Sequence, residues 1–131
     1  MYVDTNILIH ILVDDSTGKT ELLKNYFIEN EDEIFDIRFT VVMESFWVLT
    51  SKRMGLSIKK AVDELINLLS SDLFEVEKLD ECLDILNLIK KKTFLDWVDA
   101  EIYLKSKSEK TKVLSFDEDF DKLGKKVRFV V

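Results

Sequence analysis

The sequence has no proline and only three glycines in 131 residues. It therefore holds no Pro-rich or Gly/Ser-rich linker that would separate domains. Cys82 is the sole cysteine, so an internal disulfide is excluded and a cytoplasmic setting is favoured. His10 is the sole histidine, which excludes a His-rich zinc site. No uninterrupted apolar run approaches the roughly 18–20 residues of a membrane span. The first residues also lack the basic, apolar and small-residue order of a secretory leader. Nor is there an excess of positive charge: 19 basic against 26 acidic residues give a net charge of −7. That balance argues against a protein held to nucleic acid by bulk electrostatics, but it leaves room for an enzyme that positions its substrate with bound cations and a local basic patch.

What is present is core and periodicity. Hydrophobic residues make up 47% and charged residues 34%, the balance of a globular chain long enough for one sizeable core. Ile58, Ala61, Val62, Leu65, Ile66 and Leu69 share one helical face, as do Leu79, Cys82, Leu83, Leu86 and Ile89. The second stripe makes Cys82 a small core residue. Met1–Val3, Ile37–Val41, Leu73–Glu77, Val113–Phe116 and Val127–Val130 read as short strands. Between them lie expected helices over Met43–Lys52, Trp97–Lys107 and Glu118–Leu123, the last ending at Gly124. The alternation predicts a single domain over 1–131, of α/β class with a mostly parallel sheet.

Gly18-Lys19-Thr20 resembles the end of a phosphate-binding loop, but Val13 stands where that loop needs another glycine. Ser16 or Thr17 is better read as the N-cap of the helix that carries Leu22, Leu23, Tyr26 and Phe27.

Ligand sites in parallel α/β sheets form outside the carboxyl ends of the strands, and the acids at those ends can be read off. Asp4 follows the first strand. Glu44 lies on the helix after the second. Asp96 and Asp99 open the Trp97–Lys107 helix, and Asp117, then Asp119, follow Val113–Phe116. Taken singly, Asp96 and Asp117 are N-caps, Asp99 is an acid favoured by the helix dipole, and Glu44 is a solvated face. Taken together, they form a group that survives only by binding protons or a cation. Oxygen donors without accompanying His or Cys suit Mg²⁺ or Mn²⁺. His10, within an apolar run, reads as a packed residue.

"VDTNIL", "VVMESFWVL", "FLDWVDAEIYL" and "VLSFDEDFDKL", in that order, resemble the PIN-domain nucleases, in particular compact VapC-type toxins of prokaryotic toxin–antitoxin pairs. The resemblance covers almost the whole chain. It implies a three-layer α/β/α sandwich and a metal-dependent ribonuclease that uses Mg²⁺ or Mn²⁺. It further implies Asp4, Glu44, Asp99 and Asp117 as the acidic quartet, with Asp119 the alternative to Asp117 as fourth acid. Asp4 and Asp99 are the first choices for direct ligands, Asp117 is next, and Glu44 ligates a second metal or orients the attacking water. Asn6 holds the site's geometry, Thr5 and Ser115 support it with hydroxyls, and Asp96 and Asp119 stand where acids are frequent. Glu101 departs from the pattern; two positions from Asp99, it lies about 200° around the helix. The resemblance implies an RNA substrate, a homodimer and an antitoxin whose C-terminal segment covers the acidic groove. Lys52-Arg53, Lys90–Lys92 and Lys105, Lys107, Lys110 and Lys112 are candidate substrate contacts. Phe46, Trp47 and Trp97 are candidate stacking rings, at least two of which are expected in packing instead.

Three other readings compete. A haloacid-dehalogenase-type phosphatase wants an Asp where Asn6 stands, and a phosphoacceptor receiver wants an acceptor Asp after a mid-chain strand. The third is a catalytically silent PIN-like module that binds RNA or protein.

Overall fold

A computed structural model describes residues 1–131. The chain divides into two compact units, residues 1–83 and 84–131. The first carries α1 (Thr5–Leu12), α2 (Lys19–Glu29), β1 (Phe35–Ile37), α3 (Phe39–Thr50), α4 (Ile58–Leu69), β2 (Phe74–Val76) and the start of α5 (Leu79–Lys91). The second carries the rest of α5, α6 (Trp97–Glu109), β3 (Val113–Leu114), a 3₁₀ helix (Glu118–Leu123) and β4 (Arg128–Phe129). No helix is long and apolar enough to cross a membrane.

In the first unit β1 and β2 pair in parallel, Phe35 opposite Phe74 and Ile37 opposite Val76. The expected N-terminal strand contracts to one parallel bridge, Tyr2 with Asp36. The Val3 N–H donates to the Asp36 carbonyl at 2.9 Å, and the Asp36 N–H donates to the Met1 carbonyl at 2.8 Å. Beneath these strands Phe27 meets Phe35 edge to face at 4.8 Å and Phe74 at 5.5 Å. Of the expected α4 stripe, Ala61, Val62, Leu65 and Leu69 are buried and Ile58 and Ile66 half-buried, while Leu68, outside the stripe, is buried as well.

The second strand is misread by sequence. Ile37–Val41 is β-branched and apolar, yet β1 ends at Ile37 and α3 begins at Phe39. Phe39, Val42, Phe46 and Leu49 bury one helical face, and that burial outweighs local strand propensity. The cap is also remote. Glu77, just past β2, accepts the Phe39 N–H on Oε1 at 3.1 Å and Arg38 Nη1 on Oε2 at 2.7 Å. Arg38 in turn forks onto both oxygens of Asp36 at 2.7 and 2.8 Å. Glu77→Ala removes the acceptor that starts α3 and is expected to cost about 1 kcal/mol, or roughly 4 °C in Tm. Glu77→Gln keeps an acceptor and should lose less, which thermal melts of both variants will show.

The cap of α2 is likewise not Ser16 or Thr17 but Gly18, at φ +84°. Asp14 and Asp15 take the Ser16 and Thr17 amides on their side chains, turning the chain before the helix begins. Thr20, at the helix start, is buried and donates its hydroxyl to the His10 carbonyl at 2.6 Å. That contact removes what remained of a phosphate-loop reading.

In the second unit β3 and β4 pair in parallel, Val113 opposite Arg128 and Leu114 opposite Phe129. The turn between them is 3₁₀ rather than α. It closes at Gly124, where φ is +156° and an added Cβ would lie 3.3 Å from Val127 Cγ2. Buried residues here include Ile85, Leu86 and Ile89 of α5, Trp97 and Ala100 of α6, and Phe120. Cys82, at the α5 position expected for it, is fully buried.

Candidate active site

The candidate acids are divided between the units. In the first, Asp4 is exposed and stands at the N-cap of α1, where Oδ1 accepts the Ile7 N–H at 3.1 Å. The cap leaves its second oxygen uncommitted. Thr5 and Asn6 form the first turn of α1. Because α3 starts at Phe39, Glu44 falls in its second turn, exposed and without an ion pair.

The second unit holds the tighter group. Asp96 takes the N-cap position of α6 by backbone geometry, with Asp99 in the first turn. The Asp96 N–H donates to the Asp99 carboxylate, the return half of a capping box. Even so, the Asp99 carboxyl is held above the usual carboxylate range. Burial is the larger cause, followed by the negative charge of Asp117, Asp96 and Asp119. Asp117 caps the 3₁₀ helix, its Oδ1 accepting the Asp119 N–H at 2.8 Å. Ser115 Oγ accepts the Asp117 N–H at 2.9 Å, so the expected supporting hydroxyl shapes the turn that carries Asp117. Asp119 is instead engaged by Lys122 at 2.5 Å, and Lys122 lies over the Phe94 ring.

No three His, Cys, Asp or Glu side chains stand close enough to hold a metal ion as they lie. The carboxylates around Asp99 interact through charge rather than contact, as like charges in water do. Their chemistry still fits one kind of guest. A set made only of carboxylate and hydroxyl oxygens, with one member reluctant to ionise, suits a hard divalent cation.

Of the three candidate stacking rings, Trp97 and Phe46 are buried and Trp47 is 40% exposed, so two are packing residues as expected. Two cavities leave no signal in the sequence. One, of about 360 Å³ in the first unit, is lined by Thr5, Asn6 and Glu44 together with His10, Asp15 and Arg53. The other, of about 450 Å³ in the second unit, is lined by Tyr103, Thr111, Lys107, Lys125 and Lys126, with no acid in its wall. Lys107 belongs to an expected basic run. Lys125 and Lys126 follow Gly124 in an irregular stretch where no periodicity marks them.

A comparison with curated protein sequences finds no match. Residues 1–126 match the family model described as the PIN domain. That family is a nuclease-type module, generally dependent on divalent metal, with an α/β/α sandwich fold. With 126 of its 131 residues matched, the chain belongs to the PIN domain family.

Proposed function

We propose that this PIN-domain chain is an endoribonuclease of the VapC toxin type, acting as a single cytoplasmic domain that hydrolyses RNA phosphodiester bonds with Mg²⁺ or Mn²⁺. The observation that carries the reading is Asp99, a partly buried carboxylate held above the usual range by burial first and then by the negative charges of Asp117, Asp96 and Asp119. Like charges gathered around a partly buried carboxylate are the arrangement that a bound cation relieves.

Asp4, Asp99 and Asp117 are the residues proposed to hold the cation, with Glu44 completing the quartet. A divalent cation bound there supplies an activated water and neutralises charge on the phosphate. The protein's own part is positional. Capping fixes Asp4 and Asp117 through one oxygen each and leaves the other for the site. Asp117 is preferred to Asp119 as the fourth acid because Lys122 already engages Asp119. Glu44, without an ion pair, orients the attacking water or serves a second cation. Water oxygen bonds to phosphorus, the bond to O3′ breaks and O3′ takes up a proton, leaving a 5′-phosphate and a 3′-hydroxyl. A homodimer and an antitoxin partner belong to the same reading and rest on the sequence resemblance.

The test is incubation of a mixed RNA panel with wild type in Mg²⁺, in Mn²⁺ and in EDTA, with mapping of the end groups. Metal-dependent cuts bearing 5′-phosphates are expected. No cutting by folded, metal-supplied protein would turn the reading toward a binding module.

The lysine-lined cavity is proposed to hold substrate phosphates. Each contact to single-stranded nucleic acid contributes about 0.7 to the slope of log affinity against log salt. Replacing Lys107, Lys125 and Lys126 together by alanine is expected to weaken RNA binding in EDTA and to flatten that slope by up to about 2. An unchanged slope would remove these lysines from the interface.

A further inference from the structure

The cavity of the first unit is chemically mixed. Its apolar wall comes from Ile9 and Val13 at α1 and from Val48 and Met54 at α3 and the turn beyond it. Its polar groups are opposite in sign: Asp15 and Glu44 are carboxylates, Arg53 is a guanidinium, and His10 sets its Nδ1 3.6 Å from Asp15 Oδ2. A phosphate trap would be uniformly basic. A cavity with apolar walls and both donors and acceptors suits a planar, uncharged, hydrogen-bonding group, as in pockets that take a base out of its stack. At about 360 Å³ it lies near the small end of ligand pockets, roughly 300–1,000 Å³, with room for one nucleoside rather than several.

The polar groups are partly organised in advance. Asp15 Oδ1 accepts both the amide and the hydroxyl of Thr17, and those bonds hold its carboxyl below the usual range. Its second oxygen remains on the His10 side. Arg53 makes no ion pair within the protein, so its guanidinium is free to meet a ligand. Thr5, Asn6 and Glu44, members of the resemblance motifs, line the same wall.

We infer that this cavity is a nucleoside subsite for single-stranded RNA, in which one base beside the cut is read by Asn6, His10, Asp15 and Arg53 between the Val48 and Met54 side chains. The inference rests on the ribonuclease reading and adds a base preference to it. One well-placed polar recognition is worth roughly ten-fold between bases.

Two measurements test it. The first titrates isotopically labelled protein, without metal, with each of the four 5′-ribonucleoside monophosphates and follows the Asn6 side-chain amide and Arg53 Nε–H resonances. Saturable shifts are expected for wild type, stronger for one base than for the others and lost in Met54→Trp, which fills the cavity. The second sequences the cut ends of a randomised RNA. A wild-type preference of about ten-fold at one position should flatten in both Met54→Trp and Arg53→Gln; the second change is at an exposed position and spares the fold. Failure of all four nucleotides to move these resonances, or an identical base preference in wild type and both variants, would overturn the subsite. If wild type cuts no RNA at all, the ribonuclease reading fails, and the nucleotide titration alone decides whether the cavity binds a base.

Discussion

Replacing Asp99 with asparagine is expected to lower RNA cleavage by about 10²–10³-fold, the order seen when a charge-stabilising group is removed. Without divalent metal, the same change should raise Tm at neutral pH. The two effects have one origin. The folded protein holds the Asp99 proton more tightly than the unfolded chain does, because burial and then Asp117, Asp96 and Asp119 oppose its charge. Where the native state binds more protons, stability falls as pH rises. The loss begins near the unfolded carboxylate value and is complete above the raised folded value. At neutral pH the ionised Asp99 is therefore a cost to the fold, and asparagine removes it while keeping an oxygen for the Asp96 N–H. Thermal melts from acid to neutral pH give the check. Wild type should lose ground to Asp99→Asn across that window and run parallel to it above. A variant less stable than wild type at neutral pH would make Asp99 an ordinary structural acid.

Divalent cations should produce the converse result. Binding to the folded state alone at a hundred times Kd stabilises by about 2.7 kcal/mol, roughly 10 °C for a chain of this size. The shift should appear with Mg²⁺ or Mn²⁺ and shrink strongly in Asp99→Asn. It should also weaken as pH falls through the raised Asp99 value, because a protonated carboxyl is a poor ligand. A metal shift of equal size in wild type and Asp99→Asn would place the cation elsewhere. A shift insensitive to acid would say the same of Asp99.

The long helices are legible in the sequence because burial writes itself into spacing. The α4 stripe and the α5 positions of Cys82, Leu86 and Ile89 all follow from periodicity alone. Strands of two or three residues leave too short a record for alternation to resolve. That is why Ile37–Val41 reads as strand: the group that starts α3 there, Glu77, lies 38 residues from Phe39. The Gly18 cap escapes the sequence for a related reason, since Asp14 and Asp15 turn the chain before Ser16 and Thr17 can cap it. Asp4, Asp96 and Asp117 stand out in the sequence because they occupy element junctions, where chain order reveals them, whereas Glu44 lies inside α3. The electrostatic grouping of Asp96, Asp117 and Asp119 around Asp99 depends on the folded geometry, and so does the cavity that brings Asn6, Asp15 and Arg53 together across three local structures.

The most direct test of the central claim is Asp4→Asn, because asparagine caps a helix about as well as aspartate and the fold should survive. Its rate on a wild-type-cleavable RNA should be measured in Mn²⁺ beside wild type, with melting curves of both. An intact fold and cleavage reduced to the level seen in EDTA are expected. Cleavage at the wild-type rate by that folded variant would contradict the claim, leaving Asp4 as the cap of α1 and nothing more.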